Sequence, residues 1–169
     1  MRRSAVNNLP RIKADLIATL DKGRAKAHAL VERLPPDLPV HATSGWTVSD
    51  LIIHLTALET DMVAALQHAM DGKPFSVDLR GRGTVNNLYE LRREERAGDS
   101  WRQLLTDWQR ARDRLRALVI AFPIDKTEIA FGNPFFVDYN LVGAIRACGA
   151  HERLHLAEMR AASQDQPPG

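Results

Sequence analysis

The sequence predicts an all-α protein that folds as a four-helix bundle. Four segments carry the three- and four-residue spacing of apolar side chains that is typical of amphipathic helices, and no strand pattern competes with them. These segments have similar lengths, about 22–26 residues or about 33–39 Å at 1.5 Å per residue. Helices of matched length with one apolar stripe each bury that stripe best against one another, which favours a bundle.

Local signals define where these helices begin and end. Thr47 and Asp50 have the spacing of a capping box, which predicts an N-terminus at Thr47. Asp138 is a suitable N-cap for the last helix, and Pro35 and Pro123 end the first and third helices. The predicted helices cover residues 9–34, 47–70, 101–122 and 138–162, with a shorter helix at about 85–96 in the connection between the second and the third.

The chain is predicted to form one domain, because its 169 residues are enough for a single hydrophobic core. We expect the domain to span residues 1–162 and a flexible tail to follow at 163–169. Two connections are long, at 71–98 and at 123–137. Neither repeats nor low-complexity segments interrupt this organisation.

Composition excludes several classes of function. Hydrophobic residues make up 44% and charged residues 26%, which is typical of soluble globular proteins. No apolar run approaches the ~20 residues of a membrane span, and no secretory signal follows the basic start. The single Cys148 fits a reducing cytoplasm, where we expect the protein. With a net charge of +2 we expect no nucleic-acid partner, although arginines concentrate between Arg80 and Arg116.

Two histidines near the end of the chain point to metal chemistry. His151 and His155 are four residues apart, so they lie one above the other on one helix face. They continue the apolar seam of Ala144 and Cys148 into the bundle. Burying two imidazoles without partners is costly, whereas a divalent metal such as zinc or nickel would satisfy both nitrogens.

His54 is a third inward histidine, between Leu51 and Leu58 on the apolar stripe of the second helix. It lies roughly 10 Å along its helix, and the His151/His155 pair lies roughly 13 Å from the end of the last helix. These depths match only if the two helices are antiparallel. That requires an up-down-down-up order with a long crossover between the second and third helices, which residues 71–98 can provide. The predicted metal ligands are therefore His54, His151 and His155.

Other interpretations of these residues remain open. Each histidine could be an isolated core or rim residue, and His28, His41 and His68 are expected at the surface or in loops. The segment from His151 to His155 reads H-E-x-x-H, the zinc-protease pattern, in which Glu152 would be the general base. Only 14 residues follow His155, too few for a third ligand from another element, so we favour a surface role for Glu152. Further alternatives are Cys148 as a ligand rather than a small buried hydrophobe, Glu59 or Asp61 as a carboxylate that orients a ligand histidine, and an anion bound near Arg146 or Arg153.

Two stretches resemble the DinB-like superfamily, which includes the DinB/YfiT proteins and the N-terminal domain of mycothiol-dependent maleylpyruvate isomerases. Residues 45–55, GWTVSDLIIHL, resemble the start of its second helix, and residues 142–159, VGAIRACGAHERLHLAEM, resemble its final helix. The resemblance covers about residues 9–162. It implies an up-down-down-up bundle and a three-histidine site for zinc, nickel or a similar ion at His54, His151 and His155.

The resemblance also implies a reaction class. Members with known activity often transfer or isomerise groups with a low-molecular-weight thiol such as mycothiol or bacillithiol. We therefore expect a metal-dependent thiol S-transferase or isomerase in stress or detoxification, with a small thiol and an electrophile as partners and no protein nucleophile. The alternatives are a non-catalytic metal- or small-molecule-binding bundle and a metal-assisted hydrolase using Glu152. A homodimer is the expected assembly, and no membrane partner is expected.

Overall fold

The prediction of an all-α protein is confirmed. The computed structural model describes residues 9–165, which form five α-helices and one short 3₁₀-helix, and no strand occurs within that range. Only two isolated bridges, Pro39 with Thr47 and Phe131 with Tyr139, pair extended residues there. The α-helices are α1 (Leu9–Val31), α2 (Val48–Asp71), α3 (Val85–Glu95), α4 (Trp101–Ala121) and α5 (Leu141–Gln164), and the 3₁₀-helix covers Ile124–Lys126.

Helix α2 begins and ends as its sequence predicts. The Thr47 side chain accepts a hydrogen bond from the Asp50 backbone N–H, and the Asp50 carboxylate accepts one from the Thr47 N–H. This capping box satisfies backbone donors that the first turn leaves unpaired. Gly72 closes the helix at φ 69°, a left-handed conformation in which glycine carries no steric penalty.

Helix α1 ends at Val31, three residues earlier than predicted. The N–H groups of Arg33 and Leu34 donate to carbonyls three residues back, so the chain continues in tight turns. Pro35 explains this difference, because a proline disfavours the α conformation of the residue before it.

Helix α5 begins at Leu141, and its N-cap is Asn140 rather than the predicted Asp138. The Asn140 side chain accepts a hydrogen bond from the Gly143 N–H at 3.0 Å. Tyr139 is still extended and pairs with Phe131, so the chain cannot turn into a helix at Asp138. At its other end α5 continues to Gln164, into the segment predicted as a tail, and residues 166–169 lie outside the described part of the chain.

The helices pack around α2, which contacts α3, α4 and α5, while α1 packs against α4 and α5. The buried side chains form two clusters. One includes Leu66, Val119 and Ile145, and the other includes Leu55 and Trp108. Helix α3 is short and buries only Leu88 and Tyr89. Across residues 9–165, no helix is both long and apolar enough to cross a membrane.

Four buried charges join the four long helices. Arg112 of α4 donates to Glu59 of α2, from Nε to Oε1 at 2.9 Å and also from Nη2, and to Oε1 of Glu152 on α5 at 2.8 Å. Arg24 of α1 donates to the other oxygen of Glu59 at 3.1 Å. Each residue is at most 6% exposed. We call these four residues the buried charge cluster.

One sequence interpretation is wrong here. Glu152 is predicted at the surface, yet it and its partner Arg112 are each only 2% exposed. Burial opposes ionisation and raises the pKa of Glu59, which Arg112 partly offsets. Burial likewise opposes the charge of Arg112, but Glu59 and Glu152 more than compensate and raise its pKa. The two arginines and two glutamates therefore make each other's burial tolerable.

Removing one member of this cluster should destabilise the fold strongly. Arg112→Gln leaves Glu59 and Glu152 buried with only Arg24 as a cation, so we expect a loss of about 3–5 kcal/mol in the free energy of unfolding. Urea denaturation followed by circular dichroism measures it. Arg114→Gln, at an exposed position of the same helix, should change that value by less than about 0.5 kcal/mol. Equal effects of the two substitutions would contradict a structural role for the cluster.

Candidate metal centre

The structure brings together the three histidines that the sequence singled out. His54 comes from α2, and His151 and His155 come from adjacent turns of α5. The Nε2 atoms of His54 and His151 are 2.8 Å apart, and those of His151 and His155 are 3.1 Å apart. One ligand atom from each of the three lies within 4.8 Å of the others. His54 and His155 are buried, and His151 is half-buried.

Hydrogen bonds within the protein do not satisfy this group. The Nε2 atom of His151 makes both short contacts, and a ring nitrogen carries either one hydrogen or one lone pair. The Nδ1 atom of His155 donates to a carboxylate, so its Nε2 presents a lone pair in the neutral ring. A divalent cation would accept all three lone pairs. Ligand nitrogens about 2.0–2.1 Å from an ion are about 2.9–3.4 Å apart, close to the spacing seen here.

Two of the three imidazoles, those of His54 and His151, lie in an environment that favours their neutral form. Burial, reinforced by His155 and His151, lowers the pKa of His54 to about 3. Burial and the neighbouring His155 lower the pKa of His151 to about 4. A neutral imidazole is the form that binds metal. The donor set of three imidazole nitrogens fits zinc, nickel or a similar ion.

Glu158 orients one of these histidines. Its Oε2 atom accepts a hydrogen bond from Nδ1 of His155 at 2.6 Å and another from Nε2 of His41 at 3.0 Å. A carboxylate on Nδ1 fixes the tautomer and directs the Nε2 lone pair toward the other two histidines. His41 and Glu158 were missed as site residues; His41 lies in the loop before α2, one of its two predicted locations, and is half-buried there. The three-residue spacing from His155 to Glu158 was the signal that could have indicated the contact.

The carboxylates considered for this role lie elsewhere. Asp61 accepts two hydrogen bonds from Arg92 of α3, at 2.7 and 2.9 Å. Glu59 belongs to the buried charge cluster. The Nδ1 atom of His54 is buried and has no hydrogen-bond partner among the described residues. Its ring is held by packing instead, with the Tyr89 ring 4.4 Å and the Trp46 ring 5.5 Å from it.

Aromatic side chains cover the histidines. Besides Tyr89 and Trp46, the Phe135 ring lies 5.9 Å from that of His151. Asn133 shapes the Phe135 loop by accepting a hydrogen bond from the Phe135 N–H at 3.0 Å and donating one to the Val137 carbonyl at 2.6 Å.

Cys148 is a free thiol in the hydrophobic core, and its burial there raises its pKa. It is not within ligand distance of the three histidines.

Sequence comparison with known families adds an independent observation. The profile of the mycothiol maleylpyruvate isomerase N-terminal domain matches residues 18–135, which is more than half of the chain. The chain belongs to this family. The predicted membership of the DinB-like superfamily is thereby confirmed. The matched range includes His54 but ends before α5, so the match does not extend to His151 and His155.

A solved structure is similar in fold to this member of the mycothiol maleylpyruvate isomerase N-terminal domain family. It is an uncharacterised protein from Escherichia coli UTI89, 18% identical, with a TM-score of 0.70. The alignment covers 90% of this chain and 93% of that one. At this identity the likeness shows the fold alone. Comparison with curated proteins gives no significant sequence match.

Proposed function

We propose that the protein holds a divalent metal, zinc or nickel, at His54, His151 and His155 and acts as a transferase or isomerase with a low-molecular-weight thiol. The convergence of three imidazole Nε2 atoms that lack sufficient hydrogen-bond partners carries this proposal. When bound, the metal would supply Lewis-acid chemistry that lowers the pKa of a thiol. The family name supports the choice of thiol, because it refers to mycothiol.

The chain's own residues prepare the site for this chemistry. Glu158 holds the proton on Nδ1 of His155, which keeps Nε2 available as a ligand. Tyr89 and Trp46 pack on His54 and exclude water from one side of the site. No side chain is required as a nucleophile. Nothing favours the hydrolase alternative, since Glu152 is committed to Arg112 in the buried charge cluster.

We propose the up-down-down-up order of a four-helix bundle for α1, α2, α4 and α5, with residues 71–98 as the crossover that contains α3. In support, Leu51 of early α2 shares a buried cluster with Met159 of late α5, and Leu66 of late α2 shares the other cluster with Ile145 of early α5, as expected for two antiparallel helices. We further propose a small electrophile as the second substrate, a cytoplasmic role in stress or detoxification, and a homodimer. Nucleic acid and membrane are not proposed as partners.

The metal content of the purified protein tests the three-histidine site. Protein purified without a metal-affinity tag should contain about one divalent ion per chain, and His54→Ala or His151→Ala should lose most of it, since each removes one of three ligands. Elemental analysis by plasma mass spectrometry measures the content. The matched control is His68→Ala, because Nδ1 of His68 donates to the Ala64 carbonyl within its own helix. A sub-stoichiometric content that none of these changes alters would refute the metal site.

Glu158→Gln should weaken the site without abolishing it. The amide cannot hold the two histidine hydrogen bonds as a carboxylate does, so we expect metal affinity to fall about 10–100-fold. Competition with a chromogenic chelator gives the affinity. Glu94→Gln, at an exposed position of α3, is the control and should leave the affinity unchanged. An unaltered affinity in Glu158→Gln would show that this carboxylate does not orient His155.

Thiol conjugation distinguishes an enzyme from a binding protein. With mycothiol or bacillithiol and a generic aromatic electrophile, the intact protein should accelerate conjugation, and a chelator or His54→Ala should remove the acceleration. Product formation is followed by absorbance, with His68→Ala as the control. Stoichiometric metal with no acceleration for either thiol would favour the non-catalytic binding protein. Equal acceleration with and without chelator would exclude metal-dependent thiol chemistry.

A further inference from the structure

A cavity lies away from the histidines, in a groove between α1 and α5. It has a volume of about 930 Å³, comparable with the ~300–1,000 Å³ of small-molecule sites. Glycines open it on both sides, Gly23 on α1 and Gly149 on α5. On α5, Arg153 points into the groove region and lies about 200° around the helix axis from His151. The groove and the candidate metal centre therefore use different faces of α5.

The rim of this groove is strongly basic. Five of its cationic side chains form no ion pair with any described residue: Lys22, Lys26, Arg146, Arg153 and Arg160. The terminal segments 1–8 and 166–169 contain no acidic side chain. Among residues 9–165, Asp15 is the acidic residue at the rim. Five like charges around one depression repel each other, and an anion held between them would relieve that repulsion.

The floor of the groove is apolar apart from one hydrogen-bond acceptor, the carboxylate of Glu152. Leu16, Ile145 and Leu156 contribute buried aliphatic surface. Glu152 also lines the floor; its Oε1 accepts from Arg112, while Oε2 lies 3.4 Å from where a Cβ on Gly23 would be. A glycine at position 23 thus keeps the space above this carboxylate open. An apolar floor with a cationic rim matches a molecule that has a hydrocarbon body and an anionic end.

We propose that the groove between α1 and α5 binds an amphipathic anion, of the class of medium-chain carboxylates. The hydrocarbon body lies along the aliphatic floor, and the carboxylate pairs with the arginines of α5. A second copy of the chain is a poor occupant, because a symmetric contact would bring ten unpaired cations together. The site does not depend on the candidate metal centre.

Isothermal titration calorimetry with decanoate tests this site, with decyltrimethylammonium as a probe of equal chain length and opposite charge. Decanoate should bind at one molecule per chain and the cation should not. Arg146→Gln combined with Arg153→Gln should weaken decanoate binding about fivefold or more. Arg102→Gln combined with Arg114→Gln, two exposed arginines of α4, should leave it unchanged.

A steric variant tests the position of the site without changing its charge. Gly149→Leu places bulk in the groove, and its Cβ meets only the flexible end of Arg153, at 3.3 Å. Leucine also favours a helix more than glycine does, so the fold should be retained. We expect decanoate affinity to fall at least about tenfold, the effect of losing a buried apolar contact. Ala117→Leu on the exposed side of α4 should have no effect.

The histidine variant separates the two sites, because a carboxylate can also bind a metal. His54→Ala should bind decanoate as tightly as the unchanged protein. Loss of binding in His54→Ala with retention in Gly149→Leu would overturn the proposal and assign the carboxylate to the histidines. Equal binding of the two probes, or no binding of decanoate at millimolar concentration, would overturn it as well.

Discussion

The buried charge cluster is the constraint on which the arrangement of the four long helices depends. Each of these helices contributes one charged residue, and each charge would be prohibitively unfavourable alone in the core. The rotation of every helix about its axis is thereby restricted, since turning any one of them would separate a buried ion from its partners. Apolar side chains tolerate small shifts in packing, whereas a guanidinium with two carboxylate partners tolerates far less.

The cluster also sets the register of the candidate metal centre. Glu59 follows His54 by five residues on α2, and Glu152 directly follows His151 on α5. Because Arg112 holds both carboxylates, its ion pairs fix the segments of α2 and α5 that carry these two histidines. The residues of the H-E-x-x-H pattern thus have two roles. The two histidines face the candidate metal centre, and the glutamate anchors α5 through its ion pair with Arg112. The same pattern occurs in zinc proteases, where the glutamate is a general base, but here the buried ion pair with Arg112 accounts for Glu152.

Features encoded locally could be predicted from the sequence, and features that depend on distant partners could not. The capping box of Thr47 and Asp50 and the helical spacing of His151 and His155 each lie within one or two turns. The meeting of His54 with that pair followed from helix lengths and polarity. By contrast, the burial of Arg112 needs Glu59, which is 53 residues away, and the placement of His41 needs Glu158, which is 117 residues away. A charged residue on a helix is buried only when another element supplies an oppositely charged partner. The spacing of residues within one helix does not show whether such a partner exists.

Helix α3 gives the molecule an unequal distribution of local stability. It is 11 residues long and buries only Leu88 and Tyr89, and its polar attachments to α2 are the ion pairs of Arg92 with Asp61 and of Arg93 with Asp50. A segment with so few buried contacts detaches at a far lower free energy than the four long helices. Because Tyr89 packs on His54, such detachment uncovers one side of the histidines while the charge cluster stays intact. The connection that contains α3 would then also act as a cover, and amide hydrogen exchange in α3 would measure how readily the histidines become accessible from that side.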